Sequence, residues 1–223
     1  MKNKKNNLKK IALITGSSRG LGYELSICLS KKNFHIIAVS KTVSGLEDLS
    51  DKITSEGGNI TLIPLDLTKE VNIKGLYMEV LKKWKRLDVL IHSAAVPSPL
   101  TLTQTLKIDD FEKCLKINTY TTLNLIRYFD TLLKKSKNSK FVFIDDKANG
   151  KFNACYSATK SASREIVNSY YQENVRLGPK VLICEPLPMP TFLRKKFFPG
   201  ENNEKLSSCK LEAEKIIKKL LSN

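Results

Sequence analysis

Tyr156 and Lys160, in the run CYSATK, stand four residues apart and so share one face of any helix they form. A free tyrosine titrates near about 10, and a neighbouring ammonium favours the phenolate, so the expected pair is a phenol brought toward working pH by its lysine. Such a group can protonate a carbonyl oxygen or take the proton of an alcohol. The spacing alone is common on ordinary helices, so position must decide. The pair follows an apolar run, FVFI, and a double acid, Asp145 and Asp146. A second chemical candidate lies near the N-terminus, where LITGSSRGLGYEL sets Gly16, Gly20 and Gly22 between an apolar run and a helix-forming stretch. Glycines there let backbone pass close to a pyrophosphate, and the helix start offers unbonded N–H groups and the positive end of its dipole.

The elements that must position these residues follow from hydrophobic patterning. Apolar, β-branched runs predict strands at Ile11–Thr15, Phe34–Ser40, Asn59–Asp66, Asp88–Ser93, Phe141–Ile144 and Val181–Cys184. Helical periodicity lies between them, at about 20–32, from 43, at about 69–85, 109–135 and 155–175, with a last helix at about 209–221. Strands that are continuously apolar and separated by helices predict a parallel sheet covered on both faces, a Rossmann-like doubly wound α/β fold of about six strands. No repeat or linker divides the chain, so residues 10–223 read as one domain behind a basic tail at 1–9.

Composition narrows the function. The net charge of +16 is spread along the whole 223-residue chain and no nucleic-acid-binding motif accompanies it, so the lysines read as solvated surface and no specific nucleic-acid partner is expected. Five scattered cysteines show no metal-ligand spacing, which predicts free thiols in a reducing cytoplasm and no metal. No apolar run approaches the roughly 20 residues that span a bilayer, and MKNKKNNLKK lacks the apolar segment of a signal peptide, so no membrane partner is expected.

The spacing Thr15-Gly16-x-x-x-Gly20-x-Gly22 resembles the glycine motif of the short-chain dehydrogenase/reductase family, and further marks follow in order. Asp66 in PLDLT matches the acid that contacts the adenine ring, Asn118 in LKINTY the asparagine that holds a relay water, and Tyr156 with Lys160 the Tyr-x-x-x-Lys pair. EPLPMPT, with Pro186 and Thr191, resembles the segment beside the nicotinamide, although Leu187 replaces its glycine. The resemblance runs from about Lys10 to Thr191. It implies Tyr156 as acid/base, Lys160 as its activator and grip on the nicotinamide ribose, and a cofactor site at Gly16, Ser18, Arg19, Gly20, Leu21, Gly22, Ser40, Lys41, Asp66, Leu67, Ser93, Ala94, Tyr156, Lys160, Pro186 and Thr191. It also implies a homodimer through the helices carrying Asn118 and Tyr156, and a small carbonyl or alcohol as substrate. An acid at the end of the second strand would favour NAD; Ser40, Lys41 and Arg19 instead suit a 2′-phosphate, so NADP(H) is expected over NAD(H).

Two departures qualify the expected chemistry. The family places a serine at the end of the fifth strand, and here that place falls on Asp145 or Asp146; an ionised carboxylate only accepts hydrogen bonds and repels an oxyanion. Asn149, Asn153 and Ser157 are other candidate donors. The segment after the fourth strand reads His92-Ser93-Ala94-Ala95, with His92 taken as a structural polar residue. Three functions follow: an NADP(H)-dependent reductase or alcohol dehydrogenase, a catalytically weakened scaffold or sensor, or a lyase using Asp146 and Lys147. The last rests on a similarity of DDKANGKFNACYSATK to the Asp-Lys…Tyr-x-x-x-Lys segment of nucleotide-sugar 4,6-dehydratases. Beyond Thr191 the family's last strand is not evident, and FLRKKFF reads as a substrate lid or a solvated loop with aromatic anchors.

Overall fold

The computed structural model describes residues 9–146 and 150–222. Six strands, β1 (Lys10–Thr15), β2 (Phe34–Ser40), β3 (Asn59–Pro64), β4 (Val89–His92), β5 (Lys140–Ile144) and β6 (Lys180–Cys184), form one parallel sheet in the order β3-β2-β1-β4-β5-β6. Each strand lies where the apolar runs put it, with ends shifted by a residue or two. The sheet grows outward from β1 in one direction and from β4 in the other, so a crevice opens between them at the carboxyl ends of the strands. Register brings Thr15 of β1 beside Val39 of β2 and His92 of β4, and His92 beside Phe143 of β5, so loops from four strands meet at that edge.

Side chains alternate across the sheet, as the strand period of two requires. Ala12 and Ile14 face a core shared with α1 (Gly20–Ser30), α2 (Val43–Ser55) and α8 (Cys209–Leu221). Ile11 and Leu13 face the opposite core, built from α3 (Glu70–Trp84), α5 (Thr121–Lys134) and α6 (Ala154–Glu173). Both faces are thus covered over the central strands, while the edge strand β3 is only partly buried. The last helix fits this scheme by laying Ala213, Ile216, Ile217 and Leu220 beside Leu21, Leu25 and Leu29 of α1. Two polar ties fix it: Lys140 donates to the carbonyl of Leu220, and Glu212 accepts from the amide of Leu187 at 3.1 Å.

The helix expected at about 109–135 is interrupted. It runs as α4 (Ile108–Cys114), a π-helical turn (Leu115–Tyr120) and α5. A π turn inserts a residue into the helical ladder and redirects carbonyls toward side chains; Asn118 sits inside it. Hydrophobic periodicity registers only the apolar face, which continues through the turn. The segment FLRKKFF also holds a short helix, α7 (Phe192–Phe197), started by Thr191, whose Oγ1 accepts from Arg194 N at 3.2 Å.

Close packing of the first helix against its loop carries a prediction. A Cβ on Gly22 would lie 2.3 Å from the carbonyl oxygen of Gly16, which is backbone and cannot swing away, whereas a Cβ on exposed Gly75 of α3 meets nothing within 4 Å. Gly22→Ala should lower the urea unfolding stability by about 1–3 kcal/mol, and Gly75→Ala should raise it by about 0.4–1 kcal/mol. Equal stabilities for the two variants would contradict this packing.

Candidate active site

The loop between β1 and α1 is built around backbone contact. Gly16 has φ +72°, a left-handed conformation that disfavours side chains, and a Cβ there would lie 2.9 Å from the backbone of Ala94. Gly20 faces the Thr191 methyl, 3.5 Å from where its own Cβ would be. The loop therefore touches the segment after β4 on one side and the segment after β6 on the other, and Gly16, Gly20, Ser93–Ala94 and Thr191 converge on the crevice. Helix α1 begins there without an acidic residue in its first turn, leaving its positive end open to an anion. Leu21 is buried in the core behind α1, and Leu67 is buried in the core on the other face of the sheet, where its carbonyl accepts from Thr121 Oγ1 at 3.0 Å.

A basic corner adjoins it at the end of β2. Ser40 Oγ donates to Ser18 Oγ at 2.8 Å, and Arg19 donates from Nη2 to Thr42 Oγ1 at 3.2 Å while its guanidinium lies 5.0 Å from the Phe192 ring centroid. Lys41 is exposed and reaches Asp66 at 3.2 Å. Hydrogen bonds from the hydroxyl and amide of Thr68, with a further contribution from Lys41, hold the Asp66 carboxyl down to about 2. Two cations and several hydroxyls stand at this corner, with the Asp66 carboxylate on Lys41. Thr42 and Phe192 belong to this corner too; nothing in their spacing distinguishes them from ordinary loop residues.

At the end of β5 the two aspartates separate. Asp146 is exposed and its Oδ2 accepts the Tyr156 hydroxyl at 3.2 Å, so it is the acid that meets the phenol. Asp145 turns inward, its side chain fully buried, and pairs with Arg164 Nε, with Lys160 Nζ at 4.0 Å and with the amide of Asp146 at 2.8 Å. Its own amide donates to the Cys184 carbonyl at 2.8 Å, fixing the bend to β6. Arg164 continues the stripe Tyr156–Lys160 by one more helical turn; that spacing was visible in the sequence, but its partner was not.

The electrostatics reverse one expectation. Tyr156 is 1% exposed, with its ring centroid 5.0 Å from that of Phe197 on α7. Burial, then the neighbouring Asp146 carboxylate, pushes its phenol above the ordinary value, not below it. Lys160 is too far committed elsewhere to offset this: Nζ donates to the Ile144 carbonyl at 3.0 Å and lies 4.4 Å from the Phe143 ring centroid. Burial lowers its ammonium to about 8 despite the opposing pull of Asp145 and Asp146.

Asn118 is held from all sides. Its side chain accepts from Val96 N at 2.9 Å and donates to Val96 O at 3.2 Å and Thr159 Oγ1 at 3.1 Å. Its carbonyl accepts the hydroxyls of Thr122, at 3.0 Å, and Ser163. His92 ties this group to the glycine loop. Burial, with Lys160 nearby, lowers its imidazole to about 3, so it is neutral and has one donor and one acceptor nitrogen. Thr15 Oγ1 accepts the amides of Ser93 and Ala94, at 3.2 and 3.3 Å, so its single proton goes to His92 Nδ1 at 2.8 Å. His92 Nε2 then donates to Thr122 Oγ1 at 3.0 Å, whose proton goes on to Asn118. The chain has one direction throughout, and His92 is a strut. Of the other candidate donors, Asn153 is buried with Oδ1 lacking a partner and Asn149 lies outside the described residues, as does Lys147 of the lyase reading. Among the described residues no cluster of His, Cys, Asp or Glu could hold a metal ion, and no helix is long and apolar enough to cross a membrane.

Comparison with known proteins places this geometry. A family model described as short chain dehydrogenase matches residues 10–202. The 3-oxoacyl-(acyl-carrier-protein) reductase FabG of Buchnera aphidicola is 29% identical over 192 residues, covering 84% of this chain and 76% of that protein. A fatty acyl-CoA reductase of Acinetobacter baylyi is 27% identical over 157 residues, or 69% of this chain; the match spans only 53% of that longer protein. Among solved structures, an alcohol dehydrogenase from Thermococcus sibiricus complexed with 5-hydroxy-NADP superposes with TM-score 0.86 at 21% identity, covering 96% of this chain and 91% of that one. A metagenomic short-chain oxidoreductase in complex with NADP gives TM-score 0.82 at 20% identity, covering 95% and 90%. With its glycine loop, six-stranded sheet and Tyr156–Lys160 pair all within the matched span, the chain belongs to the short-chain dehydrogenase family.

Proposed function

We propose that the protein is an NADP(H)-dependent oxidoreductase that interconverts a small carbonyl compound and its alcohol. The observation that carries this reading is the convergence of the glycine loop, the basic corner and Tyr156 on one crevice at the carboxyl edge of the sheet. When bound, the nicotinamide supplies or accepts the hydride. The chain's own part is to hold the dinucleotide, place the carbonyl oxygen and handle the proton. The first turn of α1 faces the pyrophosphate, Arg19 and Lys41 take the 2′-phosphate, and Ser40 with Thr42 completes that corner. Tyr156 serves as the acid toward a carbonyl oxygen, with a phenol that stays protonated across the working range. NADP-bound relatives of the same fold support the cofactor choice. A homodimer through the helices carrying Asn118 and Tyr156 belongs to the same proposal.

The scaffold reading has one observation in its favour, the Phe197 ring packed on Tyr156. Tyr156→Phe discriminates: an oxidoreductase loses its turnover of simple ketones, aldehydes and β-ketoacyl thioesters, whereas a scaffold loses nothing.

Nicotinamide fluorescence titrations test the cofactor first. NADPH is expected to bind more tightly than NADH, and Arg19→Ala should weaken NADPH about 10-fold or more, the worth of one charge-assisted hydrogen bond, while leaving NADH nearly unchanged. Equal loss for both cofactors would place Arg19 elsewhere.

Lys160 yields a pH prediction whose sign follows from its lowered value. Below about 8 both the folded and unfolded chains carry the ammonium, and the folded state bears the cost of burying it; between about 8 and 10.5 only the unfolded state is protonated, so this cost is relieved and stability rises with pH. Urea midpoints of the wild type relative to Lys160→Met should therefore increase from pH 7 to pH 10. A flat difference would mean that the ammonium is not buried as described.

A further inference from the structure

Tyr156 poses a problem of proton supply. Its side chain is buried with its ring against Phe197, and a phenol that gives a proton to each substrate must be recharged. The Asn118 carbonyl takes the Thr122 hydroxyl at 3.0 Å and shares the Ser163 hydroxyl with the Thr159 carbonyl, and among the described residues no hydrogen bond joins it to the phenol. Lys160 points its Nζ at the Ile144 carbonyl. One group alone among the described residues both touches the phenol and reaches solvent: Asp146, exposed, with Oδ2 3.2 Å from the Tyr156 hydroxyl.

We propose that Asp146 is the proton port of Tyr156, and that Asp145, gripped by Arg164, is the positioning residue that holds it in place. This rests on the oxidoreductase reading of the same site. In alcohol oxidation the substrate hydroxyl proton passes to Tyr156 Oη as the phenol's own proton passes to Asp146 Oδ2, and the carbon-bound hydrogen leaves as hydride to the oxidised dinucleotide. The products are a carbonyl compound, a neutral phenol and a protonated Asp146, which then loses its proton to water. Reduction runs the same exchange in reverse, with Asp146 taking a proton from water and recharging the phenol.

The placement explains why an acid can stand where a serine is usual. Asp146 does not face the reacting oxygen as a second donor; it stands behind the phenol and is itself met by the phenol's proton. Its direction comes from Asp145, whose Oδ1 takes the Asp146 amide at 2.8 Å and whose Oδ2 takes Arg164 Nε. The charged and titratable groups around the pair are Asp145 on the same turn, Tyr156, Lys160, Arg164 and Glu165 on α6, Glu185 after β6, and Cys114 on α4.

A fluorine label reads the contact without turnover or cofactor. With 3-fluorotyrosine at position 156, the wild-type 19F resonance should show an inflection with pH that reports the carboxylate touching the phenol. Asp146→Asn should abolish this inflection, Asp145→Asn should displace it, and Asp146→Glu should retain it. The inflection persisting in Asp146→Asn would overturn the proposal. In single-turnover reduction of a simple ketone that the wild type turns over, Asp146→Asn should slow the step about 100-fold or more and remove the wild-type solvent deuterium effect, with NADPH affinity unchanged. A rate within about 2-fold of wild type would also overturn it. Arg164→Met should shift the pH profile and Arg164→Lys should restore it in part, which a loss of fold would not do. Failure of the parent reading looks different: the wild type then binds no NADPH, while the fluorine inflection still reports whether the carboxylate serves the phenol.

Discussion

The buried carboxylate of Asp145 is the constraint around which the site is arranged. An ionised acid removed from water must be paired, and removing one partner of such a pair costs about 3–5 kcal/mol. Asp145 has Arg164 on one oxygen, the Asp146 amide on the other, and Lys160 beside it. Satisfying that one charge determines where Lys160 and Arg164 point along α6, and it bends the chain after β5 so that Asp146 emerges over Tyr156. The sheet contributes the anchor, because the Asp145 amide completes the pairing of β5 with β6 through the Cys184 carbonyl. A neutral side chain at this place would leave two cations of α6 in search of a partner.

The frame was legible in the sequence because its signals are local and redundant. Continuous apolar runs such as Phe34–Ser40 can only be satisfied when both faces of a strand are covered, and the glycine spacing after Thr15 marks a turn that side chains would block. What escaped notice depends on partners far apart in the chain. Arg164 matters because Asp145 lies opposite it, and Thr122 and Ser163 because Asn118 turns its carbonyl toward them within a π turn. Periodicity records which residues face the core and is silent on where a redirected carbonyl finds its donor. The direction of the Tyr156 shift was misread for the same reason: helical spacing gives the nearness of Lys160 but omits the burial and the acid that outweigh it.

Helix α7 joins the two ends of the crevice. Phe192 lies against Arg19 at the phosphate corner, and Phe197 lies against Tyr156 at the chemical end. Its start is fixed by Thr191, which faces Gly20, and its far side by Arg194, paired with Glu201 at 2.5 and 2.6 Å. One short helix thus contacts both the proposed anchor of the dinucleotide and the proposed place of its reaction. Six residues make too little buried surface to hold such a helix alone, so its position depends on those aromatic contacts.

Burial of the phenol and exposure of the acid belong together. A tyrosine buried against Phe197 keeps its proton from exchanging at random with water, which a proton donor in a hydride-transfer site requires, but burial also limits its supply. The hydroxyl network from Thr15 through His92 and Thr122 cannot restore it, because each donor in that chain is already committed in one direction and the chain ends on a carbonyl. A carboxylate at the rim resolves the conflict, accepting the phenol's hydrogen bond on one side and water on the other. The acid that looked like a defect when compared with a serine is, among the described residues, the group we propose keeps a buried phenol in working order.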